Sequence, residues 1–386
     1  MGTSGFPEDQ LGVLRLLLYP YRVEFAKDTA ASDIVICRDS KSDPAKPAIR
    51  LVTNSNTTFD GYPRDHGNGL VDVPFDLIGT CLERCQRVRN PRIAFAYMLA
   101  TSLPFQYNSV PQSIRDLFLG AQTIDSTLLD HITIEKARRT LKRAFHLLGF
   151  PLERKKPPSL LITHDIETSK GFRGALTLKD IDDKLGVKAT WFLCSDEYEI
   201  PRPIARELAD GATIGSHDVR HDGRLVRIRK DEELVKRLVQ SRLRLEDIFE
   251  VEVQCFRAPL LQSSHRIVSG LSKACYRYDF SLPSWEPAYP LTGTGFGIES
   301  LQGFEADGIV RVPLTLFQDH QLLNVLRLSV DDCIKLWVEQ AKLISSFEGD
   351  LVLLVHPDYS FSREPSKYED LLASLLEIQA LPEARD

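Results

Sequence analysis

Five short segments hold the residues whose types and spacing suit chemistry. In LLITHDIET (160–168), Asp165 and Glu167 stand two apart, so an extended chain points both carboxylates to one side. Two carboxylates facing one space repel unless a positive group lies between them or one stays protonated, and a metal ion meets that need. Alone, Asp165 reads equally as a helix cap or a loop turn. In IGSHDVRHDGRL (214–225), His217 and His221 are four apart. In a helical turn that spacing turns both imidazoles to one face, where they can share an ion. Two imidazoles and one carboxylate leave a coordination position open for water, as in a catalytic zinc site, and zinc brings the pKa of such a water near 7. In CFRAPLL (255–261), Arg257 can hold a carboxylate ionised and fixed in direction, or form an ordinary loop salt bridge. In YRYDFSLPSW (276–285), Asp279 can brace Arg257, and Trp285 can line a sugar surface or fill the core. In GDLVLLVHPDYS (349–360), His356 follows a buried apolar run and suits a general acid for a departing amine. His164, His265 and His320 read as structural, with His164 facing away from Asp165.

The elements that must carry these residues alternate from Ser159 onward. The pattern predicts strands at 159–165, 187–194, 212–217, 252–257, 274–280, 308–313 and 350–356. Helices are predicted at 175–185, 201–210, 230–249, 263–273 and 330–347. Repeated β–α units imply a mostly parallel sheet, and seven of them suggest a barrel. Asp165, His217, Arg257, Asp279 and His356 all fall at the C-terminal ends of these strands, the rim where α/β barrels build their active sites. Upstream, the chain predicts strands at 12–19, 33–37 and 48–53, a long loop at 53–68, and helices at 74–88, 91–102 and 132–148. Pro151–Pro158 is rich in proline and charge, a linker or a domain-entry segment. The expected organisation is an N-terminal α/β domain of unknown role at 1–150 and a barrel at 151–386.

Composition narrows the classes. The chain has 386 residues, 43% hydrophobic and 26% charged, which is enough for a real core. The net charge of −6 gives no pull toward nucleic acid or an anionic membrane. Arg138, Arg139, Lys142 and Arg143 read as the solvated face of a helix. Seven cysteines in no regular framework read as reduced thiols; Cys81 and Cys85 lack further ligands nearby. No apolar run reaches membrane-spanning length, and Leu16–Leu18 is too brief for a signal sequence, so the expectation is a cytoplasmic protein.

Taken together, the order and spacing of the five segments resemble the polysaccharide deacetylase (NodB-homology) family over residues 160–359, and VPLTLFQDH and HPDYS resemble an uncharacterised bacterial branch of it. The resemblance implies a distorted (β/α)7 barrel and hydrolysis of an acetamido group, a carbon–nitrogen bond outside peptides, on an amino sugar or related glycan. It implies Asp165 as catalytic base, Glu167, His217 and His221 as ligands of a divalent metal, most simply Zn2+, Arg257 as support for the base and His356 as general acid. A backbone N–H and the metal would stabilise the oxyanion. The match to YDFSLPSW is loose. The family's first motif usually carries a second Asp where Glu167 stands, and its third motif often has Gly where Leu261 stands. The competing readings are a deformylase or other amide hydrolase on the same barrel, and a non-catalytic glycan-binding protein. The expected partner is a carbohydrate or acetylated small molecule; a cytoplasmic setting favours a nucleotide- or lipid-linked sugar or a small oligosaccharide over mature wall glycan. Oligomeric state is not legible.

Overall fold

A computed structural model describes residues 1–4, 6–26, 29–38, 46–51, 62–74, 76–86, 133–284 and 300–380. They form two compact units, one from residues 1–87 and 131–157, the other from the described residues beyond 157.

The first unit is a small α/β layer. Strands β1 (Gly2–Ser4), β2 (Val35–Arg38), β3 (Ala48–Leu51), β4 (Arg64–Asp65) and β5 (Leu70–Val73) pair in the order β1-β2-β3-β5-β4, with only β4 antiparallel. Helices α1 (Glu8–Leu18), α2 (Leu77–Gln86) and α3 (Thr133–Leu147) belong to the same unit. The segment 12–19, expected as a strand, is helical. Its buried Leu14, Leu17 and Leu18 follow helical spacing, and a continuous apolar run alone cannot distinguish the two periods. Arg138 is also not solvated. It is buried, paired with Glu135, and its Nε donates to the Leu17 carbonyl at 2.9 Å, satisfying a backbone acceptor left open at the end of α1. The expected helix at 91–102 and much of the loop at 53–68 lie outside the described residues.

The second unit is the barrel. Strands β6 (Leu160–Ile166), β7 (Thr190–Leu193), β8 (Thr213–Ser216), β9 (Cys255–Phe256), β10 (Tyr278–Asp279), β11 (Phe304–Ala306), β12 (Ile309–Arg311) and β13 (Leu351–Leu354) pair in the order β11-β12-β10-β9-β8-β7-β6-β13. All seven expected strands are present and parallel; β11 adds an antiparallel hairpin arm to β12. The hairpin turns at Asp307-Gly308, both at positive φ, the geometry that a tight hairpin with right-handed strand twist requires. Closure comes from residues 314–316. Leu314 bridges to Pro283, the Leu316 amide donates to the Val352 carbonyl at 3.1 Å, and Thr315 Oγ1 accepts from the Val352 amide at 2.8 Å. Strands as short as β9 and β10 make the ring irregular, so the expected distorted barrel is the observed fold.

Helices α4 (Ser169–Lys184), α5 (Arg202–Ala209), α6 (Asp231–Phe249), α7 (His265–Lys273), α8 (Val330–Ser346) and α9 (Pro365–Ala380) belong to this unit; α9 was not expected. Phe192, Cys255, Phe280, Leu314, Val352 and Leu354 meet in one buried cluster inside the ring. Leu161 packs against it, which fixes the inward parity of β6: Leu161, Thr163 and Asp165 face the interior. His164 faces outward and is buried against Trp191, Asp182 and Tyr368, the structural role expected of it. Among the described residues, no helix is long and apolar enough to cross a membrane.

Candidate functional site: a histidine–carboxylate centre at the barrel rim

Strand β6 delivers Asp165, which is 2% exposed. Arg257, directly after β9, reaches across the interior, and its Nη1 donates to Asp165 Oδ1 at 2.8 Å. The guanidinium has little freedom. Nη2 donates to Thr163 Oγ1 at 2.9 Å, Nε donates to the Phe280 carbonyl at 3.1 Å, and the Phe192 ring lies beneath it at 4.5 Å. Phe192 in turn needs Gly215 of β8: a Cβ there would meet the ring at 2.5 Å. Burial pushes the Asp165 carboxyl up, but the positive charge of Arg257, helped by His217 and His356, outweighs it and holds the group below the usual carboxylate range.

His217 follows β8. Its Nδ1–H donates to the Arg257 carbonyl at 2.8 Å, which leaves Nε2 as the lone-pair nitrogen. That atom is buried, has no hydrogen-bond partner and points toward Asp165 Oδ2 at 3.9 Å. Burial lowers the imidazole to about 4, so the lone pair is free at neutral pH. His221 approaches from the following loop, its ring centroid 5.3 Å from that of His217. Segment 217–221 is not helical as expected. Asp218 takes a left-handed φ of 68°, and the resulting loop brings the two rings together.

Glu167 Oε1 lies 2.9 Å from His221 Nε2 and 3.6 Å from His356 Nε2. The loop that holds it is pinned by Asp358. Thr168 donates its hydroxyl to the Asp358 carboxylate and caps α4 by accepting from the amides of Lys170 and Gly171. One donor atom each from Glu167, His217 and His221 falls within 4.8 Å of the other two. Two nitrogens and one carboxylate oxygen are a donor set that a divalent cation takes, and an orphaned buried lone pair is what an absent ligand partner leaves behind, so these residues fit a metal. The extra methylene of Glu167 does not carry its carboxylate out of reach.

His356 follows β13. Its Nδ1–H donates to Asp319 Oδ1 at 2.5 Å and its backbone amide to Asp319 Oδ2 at 2.7 Å. Burial would lower this imidazole, but Asp319 overrides it and raises the group well above the ordinary histidine value. Asp319 was not singled out in sequence. Its signal was an acid two residues past the apolar run VPLTLF, close to the placement that marks His356 after LVLLV.

Asp279 does not brace Arg257. Its Oδ2 pairs with Arg311 at 2.8 Å, and Oδ1 accepts from the amide and hydroxyl of Ser281, which in turn holds the Ala258 amide at 2.8 Å. In β10, Asp279 lies beside β12, so the nearer arginine claims it. Trp285 lies outside the described residues. At the position where Gly was expected, Leu261 has φ 49° and Leu260 has φ 58°, so the backbone keeps the left-handed path without glycine.

Residues 153–278 match the polysaccharide deacetylase family model. No curated protein sequence matches the chain. Among solved structures, it is similar to a putative polysaccharide deacetylase from Mycobacterium smegmatis, with 18% identity over 60% of this chain and 88% of that one and a TM-score of 0.48. It is also similar to a family 4 carbohydrate esterase from Streptomyces lividans solved with acetate, at 12% identity over 58% of this chain and 88% of that one, TM-score 0.37. A third likeness is to a family 4 pseudoenzyme from Bacillus anthracis, at 14% identity over 57% of this chain and 62% of that one, TM-score 0.40. The matched residues 153–278 carry Asp165, Glu167, His217, His221 and Arg257, so the likeness to the polysaccharide deacetylase family falls on the segments that build this site.

Proposed function

We propose that this protein is a divalent-cation-dependent hydrolase that removes an N-acetyl group from an amino sugar or related glycan, with Zn2+ as the cation its donors suit best. The observation that carries the reading is the buried, unpartnered Nε2 of His217, grouped with donor atoms of His221 and Glu167. When bound, the cation would supply a Lewis acid for the amide carbonyl and lower the pKa of a water.

The side chains around that point divide the proton work. Asp165, kept ionised by Arg257, accepts the proton of the attacking water. Water oxygen bonds to the carbonyl carbon, and the carbon–nitrogen bond then breaks. The departing nitrogen takes its proton from His356, which Asp319 holds in the protonated form and in one orientation. Acetate and a free amine result. Burial of both groups keeps bulk water from competing for these protons.

The test is acetate release from N-acetylated amino-sugar oligomers by metal-stripped protein, before and after Zn2+ is returned. The proposal expects release only with the cation present. Formate release from formamides in place of acetate, or sugar binding without turnover by the metal-loaded protein, would each overturn it.

A further inference from the structure

We propose that Arg237 is a positioning residue that fixes the spacing of the two metal-binding imidazoles, by gripping the aspartate that follows each of them. The inference rests on the cation reading above. The segment reads His217-Asp218-Val-Arg-His221-Asp222, so each histidine is followed at once by an acid. Arg237 rises from α6 beneath this loop. Its Nε lies 2.9 and 3.0 Å from the two oxygens of Asp218, and its Nη2 donates to Asp218 Oδ2 at 2.7 Å and to Asp222 Oδ1 at 2.8 Å. One rigid guanidinium therefore spans both ends of the five-residue segment.

The grip acts on a tight backbone. Asp218 is fully buried and sits at φ 68°, a left-handed conformation that L-residues adopt at a cost, aspartate at less than most, and its contacts hold it there. The Asp218 amide also donates to Ser216 Oγ at 3.3 Å, and its carbonyl accepts from the Ser195 amide at 3.0 Å. These bonds secure the His217 end. At the His221 end, Asp222 Oδ1 accepts from the Arg224 amide at 3.0 Å within its own loop. Arg237 ties that loop to the Asp218 anchor without touching either ring, adding to the Glu197 carboxylate that accepts from the His221 amide at 3.2 Å. A lysine carries the charge but is a single point donor and cannot reproduce the fork.

The experiment measures Zn2+ affinity of the metal-stripped full chain by competition with a chromophoric chelator, for wild type, R237Q, R237K and D222N, together with the absorption bands of bound Co2+. The expected result is one Zn2+ per wild-type chain and a loss of about 10- to 100-fold in affinity for R237Q, the range seen when supporting partners of metal ligands are removed. R237K falls with it, D222N loses less, and the Co2+ bands shift in all three. Melting of the metal-free proteins shows whether each variant is folded; if R237Q is not, R237K and D222N carry the test. Affinities and Co2+ spectra equal to wild type in the folded variants would overturn the clamp while leaving the cation reading intact. A wild-type chain that takes up no cation would overturn both.

Discussion

At the scale of single residues, the proposed roles divide the site into a metal-facing set and a proton-handling set. His217 lies between them, with Nδ1 spent on the Arg257 carbonyl and Nε2 unspent. His217→Ala is therefore expected to remove the cation and activity together. Asp165→Asn keeps the cation and lowers turnover by about 10²- to 10⁴-fold, the usual worth of a positioned base; metal analysis beside kinetics checks the pair, and loss of the ion from Asp165→Asn would reverse the roles of Asp165 and Glu167. Asp319 gives a pH prediction. It raises His356, so the protonated acid persists to higher pH in the native protein. Asp319→Asn removes that support, and the alkaline limb of the rate profile is expected to move to lower pH, read from kcat against pH. An unmoved limb would detach Asp319 from the chemistry. The structure gathers Asp165, His217, Arg257 and His356, which the sequence marked as polar residues at the ends of apolar strands, with Glu167 and His221, which it marked by their spacing from Asp165 and His217. Asp279 met the same rule and was misassigned, because strand order alone does not say which of two arginines lies nearer; β12 brings Arg311 to 2.8 Å.

At the scale of elements, the site depends on what lies under it. Gly215 makes room in β8 for the Phe192 ring, and that ring supports the Arg257 guanidinium. Gly215→Ala is expected to cost about 1–3 kcal/mol through overpacking and to lower turnover as Arg257 shifts. Denaturant unfolding and kinetics on one preparation check it, and wild-type stability would show that the ring moves freely. The outward face of β6 is held as firmly. His164 Nδ1 donates to the Val355 carbonyl at 2.9 Å, joining the residue before Asp165 to the residue before His356. Asp182 and Tyr368 close around its other nitrogen. The seven parallel strands were legible because buried strands write themselves as short apolar runs between turn signals. Helix α1 was misread for the same reason, since its run of leucines carries no period-two alternation to separate strand from helix. The loop joining His217 to His221 was misread because spacing alone does not reveal a left-handed residue at Asp218.

At the scale of the molecule, the barrel gathers residues from 160 to 356 onto one rim, while the first unit is a separate five-stranded layer. The fold class was legible because alternating strands and helices permit few architectures. What closes the ring was not, since residues 314–316 join Pro283 by one isolated bridge and Val352 by single hydrogen bonds, too short a pairing to leave a pattern. One cation shared by Glu167, His217 and His221 is the centre of the proposed chemistry. The most direct measurement is anomalous diffraction at the zinc absorption edge from crystals of the protein grown with Zn2+. The account predicts one strong peak about 2.0–2.2 Å from the two Nε2 atoms and a Glu167 oxygen. A strong peak elsewhere with none among these three residues, or no peak at all, would contradict it.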